Sequence, residues 1–538
     1  MKNDLRKTCD NSIYLKKLKL ADESYEAKEY KDAIILYNEL FSYLNEDFAH
    51  DLRELYRKLA DCYYALEDWS QARLFYERTL DYSDRNSAIF ARLASLYYAY
   101  DIEKAIPYYK ASLRLKANEA TFGNMCLSIL KSVNYNQTKI KEVFESGVDK
   151  IRPFVMGRQR PYEHVKRAKK VGEKLNVAYL SSDFYSHAMM EFVLPLLENH
   201  DQTAFNFTLY SCKAINDTTT KRIKETGINF VDVSDRTGAQ IARRIYNDRI
   251  DIIVDLGGHT HARRVNALFF TPAPIQMQYL GFVNTLGMKE IDYIWADEFM
   301  IPKDKANLYT EKPFYLKSGM HRFDFNMSVE NFPEVAPLPC LGNGYITFGS
   351  FNDMSKISFT TLDLWAKLLQ RVGNSKLLIY RTKNLEQDKK DWFVQEFKKR
   401  GITKDRLILS NEVFPSLFSA YSQADIGLDT TPYGGLTITI EQAYMGLSAV
   451  TLVGEGMQSR GTGAVNRALH LEEELNAYSE EEYIEKASAL SRNIEKLNLI
   501  HTGLRERLTS SPLFTDRRGF AHEVEDGYRH IWTRYLNS

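Results

Sequence analysis

The sequence has no net charge: 71 lysines and arginines are balanced by 71 aspartates and glutamates among 538 residues. No bulk field exists to gather nucleic acid or an anionic membrane, so a nucleic-acid partner is not expected. It is also poor in cysteine. The five present (Cys9, Cys62, Cys126, Cys212 and Cys340) are scattered, odd in number and without a Cys-x-x-Cys pair, which excludes a zinc or dithiol reading and suggests reduced thiols. No segment approaches the roughly 20 apolar residues of a membrane span, and the charged start Met1-Lys2-Asn3-Asp4 leads into no signal-type apolar stretch. The expected compartment is the cytosol. Neither Gly-x-Gly-x-x-Gly nor Gly-x-x-x-x-Gly-Lys occurs, so nicotinamide and P-loop readings lack support.

What is present is enough apolar material for several cores, at 44% hydrophobic residues. Up to residue 115 the chain repeats at roughly the 34-residue period of tetratricopeptide units. Ala33 and Tyr37, Ala72 and Tyr76, and Ala105 and Tyr109 each place a small residue four positions before an aromatic, on one helical face. Upstream helices supply Ala21, Ala60 and Ala94, small residues that let paired helices approach closely. An unrelated helical bundle is the alternative that three copies leave open. Residues 116–172 read as a helical linker.

From about residue 175 the rhythm becomes short apolar runs separated by helical stretches, the pattern of a parallel α/β sheet. Strands are expected at 176–181, 207–211, 251–255, 275–279 and 293–296, then at 345–349, 376–380, 406–409, 425–429 and 449–453. The Pro-rich stretch 332–339 divides the two series. Two Rossmann-like domains, 173–340 and 341–480, are therefore expected to face a cleft, with helices closing the chain over 481–538.

Ligands of such sheets sit beyond the carboxyl ends of strands, so the residues following each strand are the candidates. Three places qualify. Ser181-Ser182-Asp183-Phe184-Tyr185-Ser186-His187 ends on a histidine that could orient or exchange a proton, or merely cap a helix. Asp255-Leu256-Gly257-Gly258-His259 offers paired glycines, more often simply a tight turn. The third is a pair of segments, Gly349–Lys356 and Asp429–Glu441. The latter runs from strand through a Pro/Gly turn into hydroxyl residues that open a helix, an arrangement that presents N–H groups and a positive dipole end to phosphate. Glu441, a turn into that helix, could accept from ribose hydroxyls, and Lys356 could supply positive charge to a leaving diphosphate.

The order of these segments, together with Pro272–Phe282, Ala424–Thr430 and Ser510–Phe514, resembles the O-linked N-acetylglucosamine transferases and their bacterial tetratricopeptide-repeat members over roughly residues 170–538. That resemblance implies a glycosyltransferase-B fold preceded by an all-α repeat module. It implies an inverting, metal-independent transfer from a UDP-sugar, a co-substrate rather than a cofactor, to Ser or Thr of a protein held along the repeat groove. It further implies catalytic roles for Lys356, His187 and Asp248. Asp353, Gly434, Gly435, Leu436, Thr437, Ile438, Glu441, Leu417 and Gly281 would form the nucleotide-sugar site. The sugar implied is N-acetylglucosamine or a related hexose; Leu417 stands where the family usually has a base-stacking histidine, and Leu436-Thr437-Ile438 replaces a more polar run, so another N-acetylhexosamine or another nucleotide stays open. Transfer to Asn or a small acceptor, and a non-catalytic repeat scaffold, are the alternatives; a homo-oligomer stays open.

Overall fold

The computed structural model describes residues 11–44, 48–82, 86–166, 173–325, 332–383, 385–414 and 416–538. The chain divides into two compact units, Met1–Lys116 and Ala117–Ser538.

The first unit is three helix pairs: α1 (Asn11–Glu26) with α2 (Tyr30–Leu40), α3 (Ala49–Ala65) with α4 (Trp69–Leu80), and α5 (Ser87–Tyr98) with α6 (Ile102–Leu115). All nine residues of the repeat pattern are buried. A buried tyrosine needs a partner for its hydroxyl, and each repeat finds it in the same place. Tyr37 donates to Asp22, Tyr76 to Asp61, and the Tyr109 hydroxyl lies 3.5 Å from Ser95 Oγ, in each case the residue after the small alanine of the partner helix.

The second unit contains two wholly parallel sheets. The first takes the order β3-β2-β1-β4-β5-β6-β7, with β1 Leu175–Ser181, β2 Phe205–Ser211, β3 Asn229–Asp232, β4 Ile252–Asp255, β5 Ile275–Gln278, β6 Tyr293–Ala296 and β7 Lys312–Tyr315. The second takes the order β10-β9-β8-β11-β12-β13, with β8 Ile346–Ser350, β9 Ser375–Tyr380, β10 Leu407–Ser410, β11 Ile426–Leu428, β12 Ala449–Leu452 and β13 Asn476–Ala477. Both are doubly wound. Their strand order reverses between β1 and β4 and between β8 and β11, where the crevice for a ligand opens. The expected two-domain architecture is present, with β3, β7 and β13 added at sheet edges.

Two features depart from the sequence reading. Helices Glu119–Leu130 and Gln137–Met156, read as linker, are built into the second unit: Phe122 and Phe144 pack edge-on to buried His259, and Arg152 pairs with Glu290 at 2.6 Å. The last helix, Arg517–Asn537, returns to the first sheet, where the Tyr528 hydroxyl meets that of Tyr179 at 2.9 Å and Glu525 bonds His200 Nδ1 at 2.9 Å. Among the described residues no helix is long and apolar enough to cross a membrane.

Candidate functional site

A cavity of about 400 Å³ opens between the two sheets, and the turns after β1, β5, β8 and β11 line it. The first domain contributes His187 and Gly281, the second Asp353, Lys356 and the run from Tyr433 to Ile438 with Glu441 beyond it. Ten of the twelve residues expected at the site are thus brought together.

The turn after β11 is held by one buried carboxylate. Asp429 Oδ1 accepts from the N–H groups of Thr430 and Gly435, at 2.9 and 2.8 Å, and from Asn352 Nδ2 at 3.1 Å, while Oδ2 accepts from Thr451 Oγ1 at 2.8 Å. A buried charge is tolerated only when so fully bonded. The bonds tie the end of β8 to the end of β11. Glycine is required where the chain then passes: a Cβ on Gly434 would lie 2.6 Å from Asp429 Oδ2, and one on Gly435 2.6 Å from Ile438 Cγ2. Gly281 is in the same position, since its Cβ would fall 2.0 Å from the Leu256 carbonyl oxygen. The paired glycines after β4 thus serve as a floor on which the Gly281 loop rests, and they do not themselves line the cavity.

Helix Thr437–Tyr444 begins at Leu436 without a side-chain cap. Its first-turn N–H groups, on Thr437 and Ile438, are those a helix leaves for an anion. Lys356 reaches the same point from the other side, donating to the Gly434 carbonyl at 2.8 Å with its ammonium 4.5 Å from the Tyr433 ring centroid. Burial, reinforced by the like charge of Lys131, lowers its pKa to about 8.

Lys131 is a site residue the sequence did not disclose. It follows helix Glu119–Leu130, is itself buried, donates to Ser355 Oγ at 2.6 Å and lies 6.0 Å from the same Tyr433 ring. Burial brings it also to about 8. Asp353 stands between these charges. Burial pushes its carboxyl up, but hydrogen bonds from Ser355 and the charges of Lys131 and Arg381 outweigh this and hold it below the usual carboxylate range. Arg381, 3.8 Å from Asp353, lines the cavity as well. The Lys356 ammonium, the Arg381 guanidinium and a helix N-terminus therefore converge on one wall, with the Lys131 ammonium buried behind it.

Glu441, farther along the helix, accepts from the Tyr421 hydroxyl, and burial raises its pKa. Glu191 nearby is pushed up to about 8 by burial and by the charges of Glu441 and Asp324. His187 caps helix Ala188–Leu197: its Nδ1 accepts from the Met189 N–H at 3.2 Å and stands 3.9 Å from Asp183.

Of the other two expected residues, Asp248 and Leu417, the first is placed elsewhere. Asp248 does not line the cavity; it ends helix Gly238–Asn247 ahead of β4, and its Oδ2 is taken by Arg244 Nε at 2.6 Å and the Tyr210 hydroxyl at 2.7 Å. A carboxylate so paired is a helix-end anchor rather than a proton acceptor in the cleft. Asp248→Asn is expected to leave turnover within about threefold of wild type, because what it weakens, a half-buried ion pair with Arg244 and a hydrogen bond from Tyr210, lies outside the cavity. A loss of 100-fold in a steady-state assay would return Asp248 to the chemistry. Leu417 opens the short helix Leu417–Ala420, and its side chain lies outside the described residues.

The sequence model of glycosyl transferase family 41 matches residues 142–332 and 339–524. The Solanum lycopersicum protein named "Probable UDP-N-acetylglucosamine--peptide N-acetylglucosaminyltransferase SPINDLY" is 32% identical over 379 residues, covering 68% of this chain and 40% of that protein. Its Arabidopsis thaliana counterpart is 31% identical over 371 residues, 67% of this chain and 40% of the relative. The chain thus spans about 40% of the length of the curated relatives it matches. A solved structure of a lysine-to-methionine mutant of Thermobaculum terrenum O-GlcNAc transferase superposes with a TM-score of 0.79 at 26% identity, covering 98% of this chain and 99% of that one.

Proposed function

The chain belongs to glycosyl transferase family 41, and we propose that it transfers a sugar, N-acetylglucosamine or a related hexose, from a UDP donor to Ser or Thr of a protein. The observation that carries this reading is the half-buried Lys356 ammonium, fixed between the turn after β8 and the uncapped helix at Thr437. Asp353 offsets part of the repulsion between the Lys356 and Lys131 ammoniums, and the diphosphate of a nucleotide sugar would offset more of it. Glu441, one to two turns from the phosphate end, then lies within reach of ribose hydroxyls.

The reaction is a displacement with inversion. The acceptor oxygen bonds to the anomeric carbon as the carbon–oxygen bond to the β-phosphate breaks, the electron pair goes to the diphosphate, and the hydroxyl proton is released. Charge grows on the leaving group, and catalysis comes from groups stronger there in the transition state than before it. Lys356 and the helix N–H groups meet that need from the chain itself, without a metal, with the Lys131 charge acting from behind Ser355. His187 orients. With Nδ1 accepting from Met189, the neutral imidazole carries its proton on Nε2 and donates toward the sugar or the acceptor. The repeats hold an extended acceptor segment.

Incubation with a panel of nucleotide sugars, reading hydrolysis and transfer to Ser/Thr peptides, tests the assignment. UDP-N-acetylglucosamine or a related UDP-hexose is expected to be consumed, and UDP to raise the melting temperature. If no nucleotide is bound or consumed, the chain is a repeat scaffold with a decayed sugar site.

A further inference from the structure

A second cavity, of about 430 Å³, adjoins the first, with Leu436 lining both and the consecutive residues Met300 and Phe299 lining one each. Its wall carries Lys317, Arg322 and Arg467, and no carboxylate among the described residues lies within ion-pair distance of these three. The acids in the same wall are already engaged. Asp297 accepts from the N–H groups of Phe299, Met300 and Met320, and Glu298 pairs with Lys303. Arg322 is the one arginine buried among the described residues: its Nη1 donates to the carbonyls of His321 and Ser318 at 2.8 and 3.2 Å, while its Nε has no partner. Burial lowers the Arg322 pKa, the charges of Asp516 and Glu523 offset this only in part from beyond ion-pair distance, and an approaching anion would offset more of the cost.

We propose that this cavity is an acceptor subsite that takes the carboxylate of an aspartate or glutamate near the modified hydroxyl, so that the enzyme selects acidic acceptor segments. The inference rests on the protein-glycosyltransferase reading above. An extended chain advances about 3.3–3.6 Å per residue, so a hydroxyl at the Leu436 edge of the donor cavity places a side chain a few positions away over Lys317 and Arg467. Both are exposed and outside the donor machinery, which makes them safe to replace.

The test uses the full chain with UDP bound and two fluorescent Ser/Thr peptides, one bearing Asp and Glu around the hydroxyl and one bearing Asn and Gln. By anisotropy, the acidic peptide is expected to bind roughly tenfold more tightly to wild type, and Lys317→Gln with Arg467→Gln is expected to abolish that preference. The double variant should keep wild-type donor hydrolysis and the wild-type melting-temperature rise with UDP. Equal affinity for both peptides in wild type, or a preference that survives the double variant, overturns the subsite. Failure of wild type to hydrolyse the donor or to be stabilised by UDP strikes instead at the donor-site reading, and the peptide comparison stays interpretable because it needs no turnover.

Discussion

Replacing Lys356 by alanine lowers turnover by about two to three orders of magnitude, the range seen when one preorganised donor to a developing anion is removed. The fold is expected to survive. Folding around Lys356 favours its neutral form, since burial and Lys131 bring it to about 8, so deleting the ammonium relieves electrostatic strain and the melting temperature should stay level or rise. Against this stands the hydrogen bond from the ammonium to the Gly434 carbonyl, a small term beside the cost of burying the charge. Turnover and the UDP-induced rise in melting temperature should therefore fall together while the ligand-free melting temperature does not. Wild-type turnover in the variant would remove Lys356 from the diphosphate site.

The sequence disclosed Lys356 because it sits six residues past a buried β8, where a doubly wound sheet must present its ligand-binding turn. The repeats were legible for a similar reason: Ala72 and Tyr76 are one helical turn apart, and their packing needs a small residue against a large one. The edge strands were not. Asn229–Asp232 and Lys312–Tyr315 have mixed burial, so neither shows the unbroken apolar run by which β1 and β8 are recognised. Asp248 came only from family resemblance, and the competing partners Arg244 and Tyr210 are visible in three dimensions alone. Lys131 lies more than two hundred positions before Ser355, in a segment with no strand or glycine turn to mark it, so nothing local joins them.

That long-range pairing gives the second large effect, a change in pH dependence. Lys131 and Lys356 are both lowered from an ordinary value near 10.5 to about 8, by burial first and, for Lys356, by repulsion from Lys131. The sign follows directly. Between about pH 8 and 10.5 the unfolded chain binds more protons than the folded one, so the pair's contribution to stability rises with pH across that window. A bound diphosphate reverses the preference by favouring both charged forms, so UDP takes up protons on binding and its affinity falls as pH rises through 8. The two sites titrate as a coupled pair. Lys131→Met keeps a buried chain of similar length but removes the repulsion, leaving Lys356 desolvated yet easier to protonate. The alkaline limb of kcat/KM should move upward by roughly half a unit to one unit, while activity on the pH plateau falls about tenfold through the loss of one cation behind the diphosphate wall. Lys131→Arg should recover part of the plateau activity, because the charge returns in a different shape. A plateau loss with the alkaline limb unmoved would mean that Lys131 only props Ser355 and the turn after β8. An upward shift with rescue by arginine would mark it as the residue that sets the proton affinity of Lys356.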